Sequence, residues 1–476
     1  MGTHSVRSGR WRVALLAVAI VAEVSVAGGV LVAERRPPGV PRPVAAAPTP
    51  TPTRIRAAVE PTAAPEPTRG VAPRPAPPRS LEAARTQRVA AATTLLGRRA
   101  TALRRRDRKG FAATLDSRQR SFYRSQLEMF DNLEAVGLAS WSYRVDRRET
   151  RLPAKVVRRY AADEVFAPGV TLAYALDGAD GHRNELEQKF TLVRRGTRWF
   201  VGSDTDLDVG SHRTARELWD FGPVLSVQGE RTVVLGSPTR ASYLRALAST
   251  TDAAIPRVSA VWGEDWSQQV VVLVPRSQEQ VSDLLGERAD LSQIAAVAVA
   301  RVDIVDNRYR TVGNRVIVNP RNFDRLGRLG REVVMRHEVT HVATRGATGP
   351  NVPAWLIEGM ADYIGYLGTG VSDHGAAAAL RSDLRAGRPP RELPADKDFD
   401  GGNKRLSQAY EGSWLAARMI VDQTSQRTLV KFYRALGADR SATRAAAMAN
   451  AMRSVLKTTP GSFTKAWRAY ARAKLA

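Results

Sequence analysis

Two histidines flank a glutamate one helical turn apart in His337-Glu338-Val339-Thr340-His341. On a helix, residues i and i+4 share a face, so both imidazoles reach toward one point. Neutral imidazole suits zinc, which takes four ligands and at a reactive site keeps one position for water. A third protein ligand is then needed. Sixteen residues separate His341 from Glu358, which stands in Pro353-Ala354-Trp355-Leu356-Ile357-Glu358-Gly359-Met360-Ala361-Asp362-Tyr363. On a second helix facing the first, Glu358 completes a His, His, Glu set. Asp362, one turn further along the same face, is placed to hydrogen-bond the outer nitrogen of a ligand histidine and fix its tautomer. Glu338, beside a ligand but not itself one, is the group to take a proton from water.

The surrounding residues predict the elements that hold these groups. Val333, Val334, Val339 and Val342 make the His-bearing segment a buried helix, and a Gly/Pro loop leads from it to the second one. Upstream, Val224–Leu235 reads as a hairpin turning at Gln228-Gly229. A helix over Arg240–Trp262 is expected to bend or break near Pro256. Gln269–Val274, Ala295–Val302 and Val316–Val318 read as strands, Ser277–Leu285 as a short helix, and the chain beyond Arg321 as mainly helical. Val316-Ile317-Val318 is either a sheet edge for pairing with a substrate backbone or a plain buried strand. The other histidines of the folded part, His182, His212 and His374, sit in polar, turn-like settings and are not expected to be ligands.

These residues resemble the gluzincin metallopeptidases, specifically the peptidase MA-like domains of bacterial exported proteins. The sharp part of the likeness is 330–366, and the whole extends over about 225–475. Trp355-Leu356-x-Glu358-Gly359 with Asp362 is similar to the third-ligand helix of that clan. The resemblance implies a thermolysin-like active-site lobe holding one Zn2+ per chain on His337, His341 and Glu358, with Glu338 catalytic. It also suggests a tyrosine to stabilise the developing oxyanion. Tyr410, in Gln408-Ala409-Tyr410-Glu411-Gly412-Ser413-Trp414, is the candidate, with Tyr363 and Tyr366 as competitors. The metzincin pattern fails, because Thr344 and Ala347 stand where its Gly and third His would be. The aminopeptidase Gly-x-Met-Glu-Asn signature is absent, which leans the reading toward an endopeptidase acting on peptide or protein substrates. The alternative is a catalytically idle envelope scaffold or binding protein built on the same fold.

The 476 residues contain no cysteine, which excludes disulfides, thiolate nucleophiles, iron–sulfur clusters and Cys-ligated zinc. The net charge of +25 is spread along the chain, with an excess of +7 over 1–80, +7 over 81–225 and +11 over 226–476. Such a spread does not predict a nucleic-acid partner; a generally basic surface near an anionic cell-envelope polymer is the alternative. Residues 1–36 read as a cytoplasmic tail and a transmembrane anchor, because Val13–Ala33 is apolar but for Glu23 and Ser25 and follows Arg7, Arg10 and Arg12. A signal peptide cleaved after Ser25-Val26-Ala27 is the alternative. Both place the rest outside the cytoplasm, on the cell membrane as a single-pass protein or secreted. Residues 37–79 hold 14 of the 27 prolines and read as an extended spacer. The fold class expected beyond is α+β, in two parts, 80–210 and 211–476. In the first, helices over Leu81–Arg106 and Ser121–Leu138 precede strands at Trp141–Val145, Val170–Ala175, Phe190–Val193 and Trp199–Val201. That order resembles the cone-shaped nuclear-transport-factor-2-like (NTF2-like) domain over roughly 81–208.

Overall fold

The structure, a computed structural model, describes residues 16–18 and 80–476 apart from 210–212, 287–289 and 306–307. Arg85–Ala476 belongs to one compact unit of mixed helices and strands. The expected spacer 37–79 and most of the expected anchor Val13–Ala33 lie outside the described residues. Leu16–Val18 (β1) is a short strand whose backbone pairs antiparallel with Ala296–Ala298. No helix among the described residues is long and apolar enough to cross a membrane.

The first region opens with helices α1 (Leu81–Arg104), α2 (Arg108–Ala112) and α3 (Arg120–Asn132). Asp107 caps α2 by accepting from the Gly110 amide. Two three-stranded sheets follow. One joins β2 (Leu138–Glu149), β4 (Pro168–Leu176) and β5 (Asn184–Gln188). The other joins β3 (Glu164–Phe166), β6 (Thr191–Arg195) and β7 (Arg198–Ser203). A short helix, α4 (Ala154–Tyr160), lies between β2 and β3. Phe111, Leu133, Trp141, Phe166, Leu192 and Val201 fill the space between helices and sheets.

The second region begins with the expected hairpin, β8 (Leu225–Gln228) and β9 (Thr232–Gly236). Then come α5 (Ala241–Trp262), β10 (Val270–Val274), α6 (Gln278–Leu285), β11 (Ala296–Val305) and β12 (Arg308–Val318). Helix α5 is not broken; Pro256 sits inside it and the helix runs on to Trp262. The sheet order is β1-β11-β12-β10-β9-β8, with β10 parallel to both β9 and β12. Val316–Val318 is therefore an interior stretch and not a sheet edge. Its three residues are all buried, as strands covered on both faces must be. The strand nearer the edge is β11, whose register shifts between Val299 and Arg301.

The remaining elements are helical: α7 (Pro320–Phe323), α8 (Arg328–Thr344), α9 (Ala354–Tyr366), α10 (Asp373–Ala376), α11 (Ala378–Arg385), α12 (Leu406–Gln423), α13 (Gln426–Ala438), α14 (Arg444–Ala451) and α15 (Pro460–Leu475). Helix α8 packs on α5 and on β11, α9 on α8, and α12 on α9. Two glycines permit this stack. A Cβ at Gly359 would stand 2.4 Å from the Ser413 carbonyl of α12, and one at Gly365 would stand 3.2 Å from the Val333 carbonyl of α8. Trp355 anchors the start of α9, with its ring 5.8 Å from Phe463 and 6.4 Å from Phe432.

Candidate metal centre

Helix α8 turns its buried face to α9, and the four groups singled out by spacing meet there. His337, Glu338, His341 and Glu358 are between 0% and 2% exposed. The two imidazole Nε2 atoms lie 2.9 Å apart, and Glu358 Oε2 is 3.3 Å from each. Among the described residues this is the group of His and carboxylate side chains whose ligand atoms converge, all within 4.8 Å of one another. Asp362, one turn along α9 from Glu358, lies 2.7 Å from His337 Nδ1. With Nδ1–H donating to Asp362, the Nε2 lone pair of His337 points into the cluster.

The arrangement fits a divalent cation. Tetrahedral zinc with nitrogen ligands at about 2.0–2.1 Å would set the two Nε2 atoms about 3.3 Å apart, so a small widening accommodates it. Glu358 Oε2 and both carboxylate oxygens of Glu338 are buried without a hydrogen-bond partner among the described residues. Buried acceptors left in that state cost free energy, and a cation removes the cost for Glu358 directly.

The electrostatics agree. Burial disfavours charge on Glu358, but His341 and His337 outweigh it and bring its pKa down to about 2. Burial pushes Glu338 up to about 8, with the Glu358 charge adding to the effect and His337 opposing it. Burial holds His341 below its ordinary value, against the opposing pull of Glu358. For His337, burial is outweighed by Asp362 and Glu358, which raise its pKa to about 10 when no cation competes.

Of the three tyrosines, Tyr410 is the one beside the cluster. Its ring lies 6.3 Å from that of His337 and meets Phe399 edge-on at 5.3 Å. Tyr363 is instead engaged by Gln426, whose amide donates to its hydroxyl at 2.7 Å. Tyr366 packs on Trp414 and stands near Asp362 and Glu411. His374 lies in the last turn of α10, and His182 is an exposed loop residue; His212 is outside the described residues.

Arg345 was not anticipated. It follows His341 by four residues, so it lies one turn further along the same face. The residue is 6% exposed, and its guanidinium donates from Nη2 to the Ala298 carbonyl of β11 at 2.7 Å. Its charge, weakened by burial to a pKa of about 10, favours the ionised form of Glu338. The spacing Glu338–Arg345, two helical turns, was the available signal. No family model matches the chain, and no curated protein matches it in sequence.

Proposed function

We propose that this chain is a zinc-dependent metallopeptidase, exported or membrane-anchored through residues 13–33, acting on internal peptide bonds. The convergence of His337, His341 and Glu358 beside a buried Glu338 supports the reading. His337, His341 and Glu358 hold the ion, and Asp362 keeps the proton of His337 on Nδ1. When bound there, zinc would lower the pKa of a coordinated water and polarise the scissile carbonyl. Glu338 takes the proton of the attacking water and passes it to the leaving amine. Tyr410, whose ring lies beside that of His337, is the candidate to donate to oxygen that gains charge during attack. The helical lobe over a mixed sheet is in keeping with a thermolysin-like arrangement, and the helices and sheets of 80–210 with an NTF2-like domain.

The burial of the whole cluster favours a second reading, an idle site in an envelope scaffold. One experiment separates them: metal analysis of the wild type and Glu338→Gln, with cleavage of an unbiased peptide library by each. The peptidase reading expects about one zinc per chain in both proteins, and chelator-sensitive cleavage in the wild type alone. Zinc without cleavage establishes the scaffold. Absence of zinc removes the peptidase reading and leaves the idle scaffold.

A further inference from the structure

The metal cluster is sealed. His337, Glu338, His341 and Glu358 are no more than 2% exposed, so a peptide reaches them only if something moves. The strand beside the cluster is β11, and helix α8 touches it twice at one residue, Ala298. Arg345 donates to the Ala298 carbonyl at 2.7 Å, and the Ala298 amide favours the ionised form of Glu338. This stretch of β11 therefore runs alongside the carboxylate that is to take a proton from water.

The hydrogen bonds of β11 fix which of its groups face outward. Asn319, just past β12, donates its amide to the Ala295 carbonyl at 2.8 Å. Bonded and non-bonded pairs alternate along an antiparallel ladder. In the register of β11 on β12, Val297 is then bonded to Ile317, while Ala296 and Ala298 turn their N–H and C=O groups to the other side. The segment Ala295-Ala296-Val297-Ala298-Val299-Ala300 carries no charge and no proline, the usual guards of a free sheet edge. Such an edge accepts an extended chain. Here it holds β1, with Leu16 opposite Ala298 and Val18 opposite Ala296. The occupant is thus a piece of the chain's own N-terminal apolar run, and it lies where Ala298 meets Glu338 and Arg345.

We propose that Leu16–Val18 is an autoinhibitory strand, which occupies the outer edge of β11 beside Glu338 and denies it to the backbone of an incoming peptide. The proposal rests on the peptidase reading and supplies its regulation. That reading gives residues 13–33 another place, in the membrane or in a cleaved leader, and either one takes the strand off β11. Export and unmasking are then a single event.

The test compares the full-length protein, free of detergent, with three single variants. Leu16 and Val18 face the outward groups of Ala298 and Ala296, so Leu16→Pro and Val18→Pro each remove a ladder donor. Ala17 is opposite Val297, whose backbone is spent on β12, so Ala17→Pro removes none and is the control. Hydrogen exchange over residues 295–300 reads the contact without reference to activity. It should be about tenfold faster in Leu16→Pro and Val18→Pro than in the wild type and Ala17→Pro. In the zinc-loaded proteins, KM for a cleaved peptide should fall about tenfold in the same two variants with kcat unchanged, because an internal competitor lowers the competent fraction and leaves the chemistry alone. Equal exchange in all four chains overturns the proposal. Hydrolysis with the same KM in all four also overturns it and leaves the peptidase reading standing. Faster exchange with no hydrolysis by any chain overturns both.

Discussion

The two buried polar clusters differ in what they leave unspent. At the α8–α9 crossing the surplus is acceptors: Glu358 Oε2 and both oxygens of Glu338. In the cavity under α1, lined also by Glu217, the surplus is donors, Arg99 Nη1 and Trp141 Nε1. Both depart from the rule that buried polar groups find partners, and they differ in sign and in room. A surplus of acceptors asks for a cation. The donors have no accessible surface, and their cavity has room for about one water, so they admit no ligand. A bare count of unsatisfied atoms would treat the clusters as alike.

Variants can break or sharpen this contrast. The largest effect is expected at Glu338, whose role needs an ionised carboxylate and not a ligand. Glu338→Gln should retain zinc by elemental analysis while peptide hydrolysis falls by about 10²–10⁴-fold. Loss of the ion from that variant would move Glu338 into the ligand set.

Next is the join between the two regions. Arg315 of β12 makes a bidentate pair with Asp180, at 2.7 and 2.8 Å, and both side chains are almost wholly buried. Arg315→Met leaves Asp180 without its cation and should destabilise the protein by about 3–5 kcal/mol in denaturant melts, with Asp180→Asn in the same chain recovering part of the loss. A small change would mean that this charge, unlike those in the two clusters, reaches water.

Asp362 supports the acceptor cluster only through His337. Asp362→Asn should weaken metal affinity by about 10–100-fold in a competition titration against a chromophoric chelator. An unchanged affinity would show that the Nδ1 hydrogen bond does not orient the ring.

The smallest effect is a pH dependence in the donor cluster. Burial raises Glu217 from the ordinary glutamate value to about 7 in the folded chain. The folded state therefore holds this proton more tightly than the unfolded one. Its contribution to stability is complete below about pH 4.5 and is lost as the pH rises through about 7. Melting temperatures of the wild type should fall relative to those of Glu217→Gln across that window. A constant difference would mean that Glu217 is ionised throughout.

How much was legible follows from the range of each signal. The histidine pair was readable because its geometry lies within one turn of one helix. Glu358 and Asp362 were readable because they too share one helix face, and the glycines that bring α9 against α8 and α12 stand in the same short segment. Sheet order was not readable in this way. Val270–Val274 and Val316–Val318 carry the same continuous apolar signal, and both are interior, so an edge role for the second ran against its own pattern. Strand β5, Asn184–Gln188, passed unnoticed because an outer strand carries polar side chains and looks like a loop. Arg99 and Arg345 were invisible for a related reason. Arginine is an exposed residue by default, and nothing local distinguishes the few that tertiary packing buries. Pro256 signals a bend or a break from the sequence, and of the two the break does not occur, since α5 continues to Trp262.

The Arg315–Asp180 pair has a consequence for how the molecule comes apart. Each partner is buried by the other's region, and Asp180 further accepts from the Leu176 amide and the Asn184 side chain. Close by, a side chain at Gly313 would collide with Asn184. Cutting the chain near residue 210 would strand a guanidinium on one piece and a carboxylate on the other, each on a surface shaped for its absent mate. Excising either half alone therefore removes part of the buried surroundings of this pair.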